Sequence, residues 1–479
     1  MSNATVNTFK RLGTLALCAT LVLPPSTGLA LEPALTADDF AKFPDYLTQP
    51  NFHAPSAGHC KRPIRTRETS TQPQAGANDH LKSRADGDVV RRHSPVASMA
   101  SPPALALAPT AAPAAATAPA APAAPKTPRT SIAPLQQSTV VTAGVVDDNA
   151  DFGEYLAFRN RTQVAHRARD VSERYLLQVR DALDKPVHDA QVRITSPQGY
   201  TQWVRTDTAG QVWVHPKAFI PAQESASVLD VQVEKQNFKA QTQLVRGQKS
   251  AVQVKLDTQS ANAKAQLDLV FLIDATGSMG DEIDKLKASL RTIVRDIAQL
   301  PSQPDLCLGM VAYRDKGDAF LLRSHDFTND VNAFQGVLNA LQAAGGGDTP
   351  EAMNEALHDA VHNLSWRGQG ATRLMVLLAD APPHLDYGTP HYDNTTMAAL
   401  GKGIKIFSVG ASGLDKQGEY IQRQIAQYTG GRFVFLTYKN AINPASGPGS
   451  QTVHDVQNYS VDTLDALVVR VVKDELSRL

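Results

Sequence analysis

Between residues 174 and 256, apolar side chains recur at every second position. The alternating runs are Tyr175, Leu177 and Val179, then Val192 and Ile194, Trp203 with the charged Arg205 two places on, Val212 and Val214, Val231 and Val233, Val252 and Val254. Period two is the mark of strands with one buried face. Asp184-Lys185-Pro186, Pro197-Gln198-Gly199 and Thr208-Ala209-Gly210 divide the runs with residues that favour turns. About seven short strands predict a small antiparallel β-sandwich over residues 171–258. Beyond residue 265 the period changes. An apolar strand at 267–273 feeds a helix from Gly280, and Met279, Ile283, Leu286, Leu290, Ile293, Ile297 and Leu300 recur along it at helical spacing. Strands at 306–313, 320–325, 374–379, 404–409 and 432–436 alternate with helices at 331–343, 351–364 and 414–428. A loop and terminal helix, 461–479, complete residues 441–479. This alternation predicts an α/β fold, a doubly wound and mostly parallel sheet covered by helices on both faces.

The first 170 residues read differently. Lys10 and Arg11 precede an apolar run at 12–23, and Gly28 and Ala30 follow, the grammar of a secretory signal over residues 1–30. Leu17 before Cys18 is too bulky for a lipoprotein site. No later run is long enough for a membrane helix, so no transmembrane anchor is expected. Residues 31–140 lack periodicity, and 101–125 are almost entirely Ala and Pro, which predicts a disordered linker or stalk. Phe152, Tyr155, Leu156 and Phe158 suit one short helix in a connector at 141–170. Lys plus Arg and Asp plus Glu both number 47, a balance that gives no support to a nucleic-acid partner. Outside the leader, Cys60 sits among polar residues and Cys307 within the apolar run 306–313. That contrast predicts a buried thiol at Cys307 rather than a bridge.

In open sheets of this kind ligands bind beyond the carboxyl ends of the strands. There the chain places Asp274-Ala275-Thr276-Gly277-Ser278-Met279, the glycine-rich Gly345-Gly346-Gly347-Asp348-Thr349-Pro350, and Asp380. Only oxygen ligands are offered, which suits Mg²⁺, with Mn²⁺ or Ca²⁺ as alternatives, rather than zinc. Residues 265–440 resemble a von Willebrand factor type A domain, and Asp274-Ala275-Thr276-Gly277-Ser278 is similar to its metal-ion-dependent adhesion site pattern Asp-x-Ser/Thr-x-Ser. The resemblance implies that Thr276 and Ser278 bind the cation directly, and that Asp274 and Asp380 do so directly or through water. The family's second-loop threonine has no clear counterpart. Asp348 or Thr349 stands there, and an ungapped match places Gly347 at the position. Asp348 also lies three residues before Glu351 and reads as a helix cap. Asp281, Glu282 and Asp284 complement the helix dipole and read as a solvated acidic edge. His384, Asp386 and His391 fall in the loop after Asp380. The 184–210 region resembles carboxypeptidase-regulatory and related immunoglobulin-like modules, which implies support or spacing.

Three functions compete on these residues. The first is an exported, cation-dependent adhesion-type module, without turnover, that binds a protein partner presenting a carboxylate to the metal. The second is a surface display protein whose cation only stabilises the fold. The third is an α/β serine hydrolase using Ser278, Asp380 and His384 in that chain order. It lacks the first glycine of the nucleophile elbow, because position 276 is Thr.

Overall fold

The computed structural model describes residues 60, 64–70, 140–258 and 264–479. The expected leader at 1–30 and the Ala/Pro-rich run at 101–125 lie outside the described residues. Strand β1 (Thr66–Thr69) nevertheless falls inside the stretch expected to be unstructured. Its Thr-Arg-Glu-Thr sequence carries no apolar alternation, so nothing in its pattern announces a strand. Residues 141–170 hold strand β2 (Thr142–Val146) as well as the expected helix, α1 (Phe152–Arg161).

Seven strands follow: β3 (Tyr175–Arg180), β4 (Gln191–Thr195), β5 (Thr201–Arg205), β6 (Gln211–Val214), then after the short α2 (Pro216–Phe219), β7 (Val228–Lys235), β8 (Phe238–Val245) and β9 (Val252–Lys255). They form a three-stranded sheet, β6-β3-β9, and a four-stranded sheet, β5-β4-β7-β8. Leu177, Val179, Val192, Ile194, Val204, Val231 and Leu244 meet in one apolar cluster between them. Two details depart from expectation. β3 pairs with β9 in parallel, so the set is not wholly antiparallel. On β5 the inward residues are Gln202 and Val204 rather than Trp203; Gln202 Nε2 donates to the Tyr428 hydroxyl (2.7 Å), while its Oε1 is buried without a partner.

The remainder is β10 (Gln266–Asp274), α3 (Gly280–Ala298), β11 (Asp305–Tyr313), β12 (Leu322–Thr328), α4 (Val331–Ala340), α5 (Met353–His362), β13 (Ala371–Ala379), α6 (Tyr392–Lys402), β14 (Ile404–Gly410), α7 (Lys416–Tyr428), β15 (Phe433–Thr437), β16 (Ser460–Thr463) and α8 (Leu464–Leu476). One nine-stranded sheet runs β1-β12-β11-β10-β13-β14-β15-β2-β16. Its centre, β11-β10-β13-β14-β15, is parallel, and antiparallel pairs extend it on both sides. Leu269, Phe271 and Ile273 pack on the α3, α4 and α8 side. Val270 and Leu272 pack on the α5, α6 and α7 side. Covered on both faces, β10 reads as continuous hydrophobicity. The α3 stripe of Ile283, Leu286, Leu290, Ile293 and Ile297 is buried as its spacing predicts, and each such side chain contributes about 1.5–3 kcal/mol.

Three further departures have local causes. Helix α6 shows no stripe because nearly every residue in it is buried. The predicted terminal helix begins only at Leu464, because residues 460–463 pair with β2 as an edge strand. Cys60 and Cys307 are joined in a disulfide, their Cα atoms 5.7 Å apart, which corrects the expectation of a lone buried thiol. The polar neighbours of Cys60 concealed that β1 pairs with β12 and carries Cys60 to the sheet.

Candidate metal centre

β10 delivers Asp274 fully buried at its carboxyl end, and a short 3₁₀ turn (Gly277–Met279) leads into α3. Thr276 donates to Asp274 Oδ1 through both its backbone N–H (3.0 Å) and its hydroxyl (2.7 Å). Thr276 Oγ1 lies 3.4 Å from Ser278 Oγ. Backbone bonds then fasten this turn to the glycine-rich loop: Gly277 N–H to Gly345 C=O at 3.0 Å and Ala344 N–H to Ala275 C=O at 3.1 Å. Gly346, at φ +68°, is pressed so closely that a Cβ there would stand 3.1 Å from both Thr276 Cβ and Glu351 Oε1. At Gly345, φ +80°, a Cβ would strike the Asp318 carboxylate. The glycines are therefore required by space and by backbone conformation. The same loop is tied onward to the loop after β13, where Glu351 N–H donates to Pro382 C=O at 3.0 Å. Three loops that carry Asp274, Glu351 and Asp380 are thus pinned to one another.

The electrostatics are unusual. Asp274 Oδ2 and Glu351 Oε2 are buried without a donor at good hydrogen-bond geometry, and the buried hydroxyl of Tyr313 on the adjoining strand lies next to Asp274 but is not well placed to donate to it. Burial pushes Asp274 up to about 7, aided by the charge of Asp380 and opposed by the Thr276 hydrogen bonds and, more weakly, by the Tyr313 hydroxyl. Glu351 is only 3% exposed. Burial first, then the charges of Asp274, Asp315, Asp318 and Asp380, push it up to about 9. Asp380 is half-buried and raised by that burial, against a hydrogen bond from Ser278. Unpartnered buried carboxylate oxygens among hydroxyls and other acids fit a hard cation, which would supply the missing positive charge. Among the described residues, one set of three His, Cys, Asp or Glu ligand atoms lies within 4.8 Å of one another, Cys60, Asp268 and Cys307, and there the sulfurs are joined. The acids at the strand ends are spread more widely, around the two hydroxyls.

The structure brings Asp274, Thr276, Ser278 and Asp380 together. Asp348 and Thr349 lie in the same loop with exposed side chains. Asp348 does not cap α5, whose N-cap is Ala352 with no side-chain bond. Glu351 was hidden from sequence reasoning because an acid opening an apolar helix is ordinary dipole complementation. Its signal was its place directly after the glycine-rich loop. Asp315 and Asp318 were also overlooked, and Glu282 is buried rather than part of a solvated edge. His384 is engaged by Asp315 (Nε2 to Oδ1, 2.9 Å) and Asp386 (Nδ1 to Oδ1, 3.2 Å). Both ring nitrogens are thereby directed away from a Ser278–Asp380 triad. His391 is buried at the N-cap of α6.

Residues 268–386 match the von Willebrand factor A domain family. The chain is 34% identical over 126 residues to a putative ariadne-like RING finger protein of Acanthamoeba polyphaga mimivirus, covering 25% of this chain and 12% of that protein. It is 28% identical over 133 residues to an alpha-protein kinase of Dictyostelium discoideum, covering 28% and 21%. It is 37% identical over 93 residues to von Willebrand factor A domain-containing protein 7 of Mus musculus, covering 19% and 10%. The chain spans between 10% and 21% of the length of these relatives. A von Willebrand factor A domain is thus found within residues 268–386. No described helix is long and apolar enough to cross a membrane.

Proposed function

We propose that this chain is an exported, non-enzymatic binding protein. Its α/β domain holds Mg²⁺, or Mn²⁺ or Ca²⁺ in its place, and through that cation engages a carboxylate on a protein partner. The observation that carries this reading is the pair of buried, unpartnered oxygens, Asp274 Oδ2 and Glu351 Oε2, beside the hydroxyls of Thr276 and Ser278. Thr276, Ser278, Asp274 and Asp380 are the core ligands, and Glu351 takes the position offered by the second loop. Asp348 and Thr349 stand at its rim. An ionised Glu351 tightens the hold on the cation and moderates its pull on an incoming acid, while the neutral hydroxyls preserve that pull. The two small sheets over 171–258 form a sandwich of the immunoglobulin-like or carboxypeptidase-regulatory kind that supports the binding domain. Residues 1–30 serve as the export signal.

The test is calorimetric titration of the full chain with Mg²⁺ and Mn²⁺, for wild type and Asp274→Ala, followed by partner binding with and without chelator. Binding of metal and partner that is lost together in Asp274→Ala supports the reading. Partner affinity unchanged by chelator and by the variant sinks it. A second reading draws on the same buried oxygens at the junction of three loops: the cation only stiffens that junction. Metal that raises the melting temperature without altering partner affinity would favour it.

A further inference from the structure

β1 is an unusual edge strand. It spans four residues and covers the outer side of β12 with the register Thr66↔His325, Arg67↔Ser324, Glu68↔Arg323 and Thr69↔Leu322. Two flanking backbone bonds extend the ladder, Leu321 N–H to Thr69 C=O and Asp326 N–H to Arg65 C=O, both 2.9 Å. The rest of its hold is polar. Arg67 pairs with buried Asp359 on α5, Glu68 with half-exposed Arg323 at 2.8 Å, and Thr66 Oγ1 with His325 Nδ1 at 2.9 Å. Residues 64–70 contain a single apolar side chain, Ile64, packed at the margin of the core. A segment this short and this polar cannot hold a sheet edge by burial alone. What distinguishes it is the covalent tie. Cys60 is bonded to Cys307, fully buried inside β11, across 247 residues of chain. Asn329 N–H donates to Cys60 C=O at 2.7 Å and seats the bridge against the end of β12.

We propose that the Cys60–Cys307 disulfide is a redox latch: oxidised, it keeps residues 64–70 in place as the ninth strand, and reduced, it releases them and bares the edge of β12. Tethering converts docking of the segment into an intramolecular event at high effective concentration, and that advantage vanishes with the bond. Closure needs a protein or small-molecule disulfide as oxidant. Cys60 thiolate attacks it and forms a mixed disulfide. Cys307 thiolate then attacks Cys60 Sγ and the bond to the oxidant breaks; the two electrons leave on the oxidant's two sulfurs as thiols, joined as a dithiol for a protein disulfide and separate for a linear small-molecule one, and the two thiol protons pass to solvent or to those departing thiolates. Reduction by a dithiol reverses these steps. Cys60, on the segment that moves, is the entry point because Cys307 has no exposed surface. The released edge would leave backbone groups of residues 321–326 unpaired. The inference is independent of the cation site.

Hydrogen exchange followed by mass spectrometry on the full chain tests it in three states: oxidised, reduced after folding with a dithiol, and Cys60→Ser. The latch predicts exchange at least about tenfold faster over residues 64–70 and 321–326 in the reduced and Cys60→Ser proteins, with β10 and β7 unchanged. Reoxidation with a disulfide restores protection in wild type alone. Reduction of folded wild type keeps the test valid should Cys60→Ser fail to fold. Protection at 64–70 that survives reduction overturns the proposal, because the ladder and the Arg67–Asp359 pair would then suffice. Loss of protection throughout the chain overturns it too, making the bond a global staple, as does alkylation that finds both thiols free in protein from an oxidising compartment.

Discussion

Strand β10 carries two aspartates on one face, six residues apart and both fully buried, and the fold treats them in opposite ways. At its amino end Asp268 accepts from Arg367 through both oxygens, Nε to Oδ1 at 2.6 Å and N–H to Oδ2 at 2.7 Å. At its carboxyl end Asp274 keeps one oxygen without a well-placed donor, the Tyr313 hydroxyl lying near it. The same contrast runs across the whole sheet. Near the amino end of β13, Asp189 is gripped by Arg373 (2.9 Å), Arg205 (3.0 Å) and Lys235 (3.9 Å), and by the Gly370 N–H at 2.6 Å. Although burial opposes ionisation, Arg373, Arg205 and Lys235 hold that carboxyl well below its ordinary range. At the carboxyl end the acids face one another, and Asp274, Glu351 and Asp380 are all raised. One end therefore has its counter-ions built in, and there the 171–258 region docks. At the other, among the described residues, no cationic side chain is ion-paired with Asp274, Glu351 or Asp380, the condition in which the cation we propose would complete the site.

The largest expected effect breaks the paired end. Asp189→Ala strands Arg373 and Arg205 in the interior and should cost about 3–5 kcal/mol in denaturant unfolding. Asp274→Asn in chelator should cost nothing or stabilise, because it removes an uncompensated buried charge. Equal losses in both variants would erase the distinction between the two ends.

Next in size is linkage to metal. Mg²⁺ at a hundredfold excess over its Kd should stabilise wild type by about 2.7 kcal/mol and leave Asp274→Asn unmoved, read as a shift in melting temperature. The acidity of the two ends supplies a third test, with opposite signs. In chelator the folded chain holds more protons than the unfolded chain while Asp274 titrates at about 7 instead of 3.8, and Glu351 at about 9 instead of 4.5. Stability should therefore fall as pH rises through those windows, by on the order of a kcal/mol per unit for each group. Saturating cation should remove that slope, since cation binding tightens as the acids ionise. Asp189 acts in the other direction: its contribution is complete above 3.8 and is lost as pH falls toward its depressed folded value. His215 adds to this acid lability. It is buried with neither ring nitrogen hydrogen-bonded and is pushed down by burial to about 3 from 6.5, so stability should decline as pH drops below 6.5. Chemical unfolding at a series of pH values, with and without metal, separates the two slopes. The smallest effects sharpen the site itself. Glu351→Gln should weaken cation binding about tenfold or more by calorimetry, while Asp348→Ala, at an exposed position, should change stability by less than about 0.5 kcal/mol.

How much was legible follows from where each signal lives. Asp274, Thr276, Ser278 and Asp380 lie within a few residues of strong apolar strands, so strand ends alone place them at one edge. The α3 stripe and the period-two runs of β3, β4, β6, β7 and β9 were similarly plain, because each buries one face. Glu351, Asp315 and Asp318 were not, since their meaning comes from loops zipped together by backbone bonds such as Gly277 to Gly345 and Glu351 to Pro382. No periodicity encodes such contacts. Helix α6 was hidden for the opposite reason, being buried on nearly every side. β1, β2 and β16 are short strands at the margins of the sheet whose pairing partners lie hundreds of residues away or beyond an intervening region. The same distance concealed the Cys60–Cys307 bond.

Binding of Mn²⁺ to the full chain, followed by its paramagnetic resonance signal in wild type and Asp274→Asn, tests the missing counter-ion most directly. The account predicts that wild type removes one equivalent of free Mn²⁺ from solution, that Mg²⁺ competes it away, and that Asp274→Asn leaves the free-ion signal intact. A wild-type titration indistinguishable from the variant would contradict it.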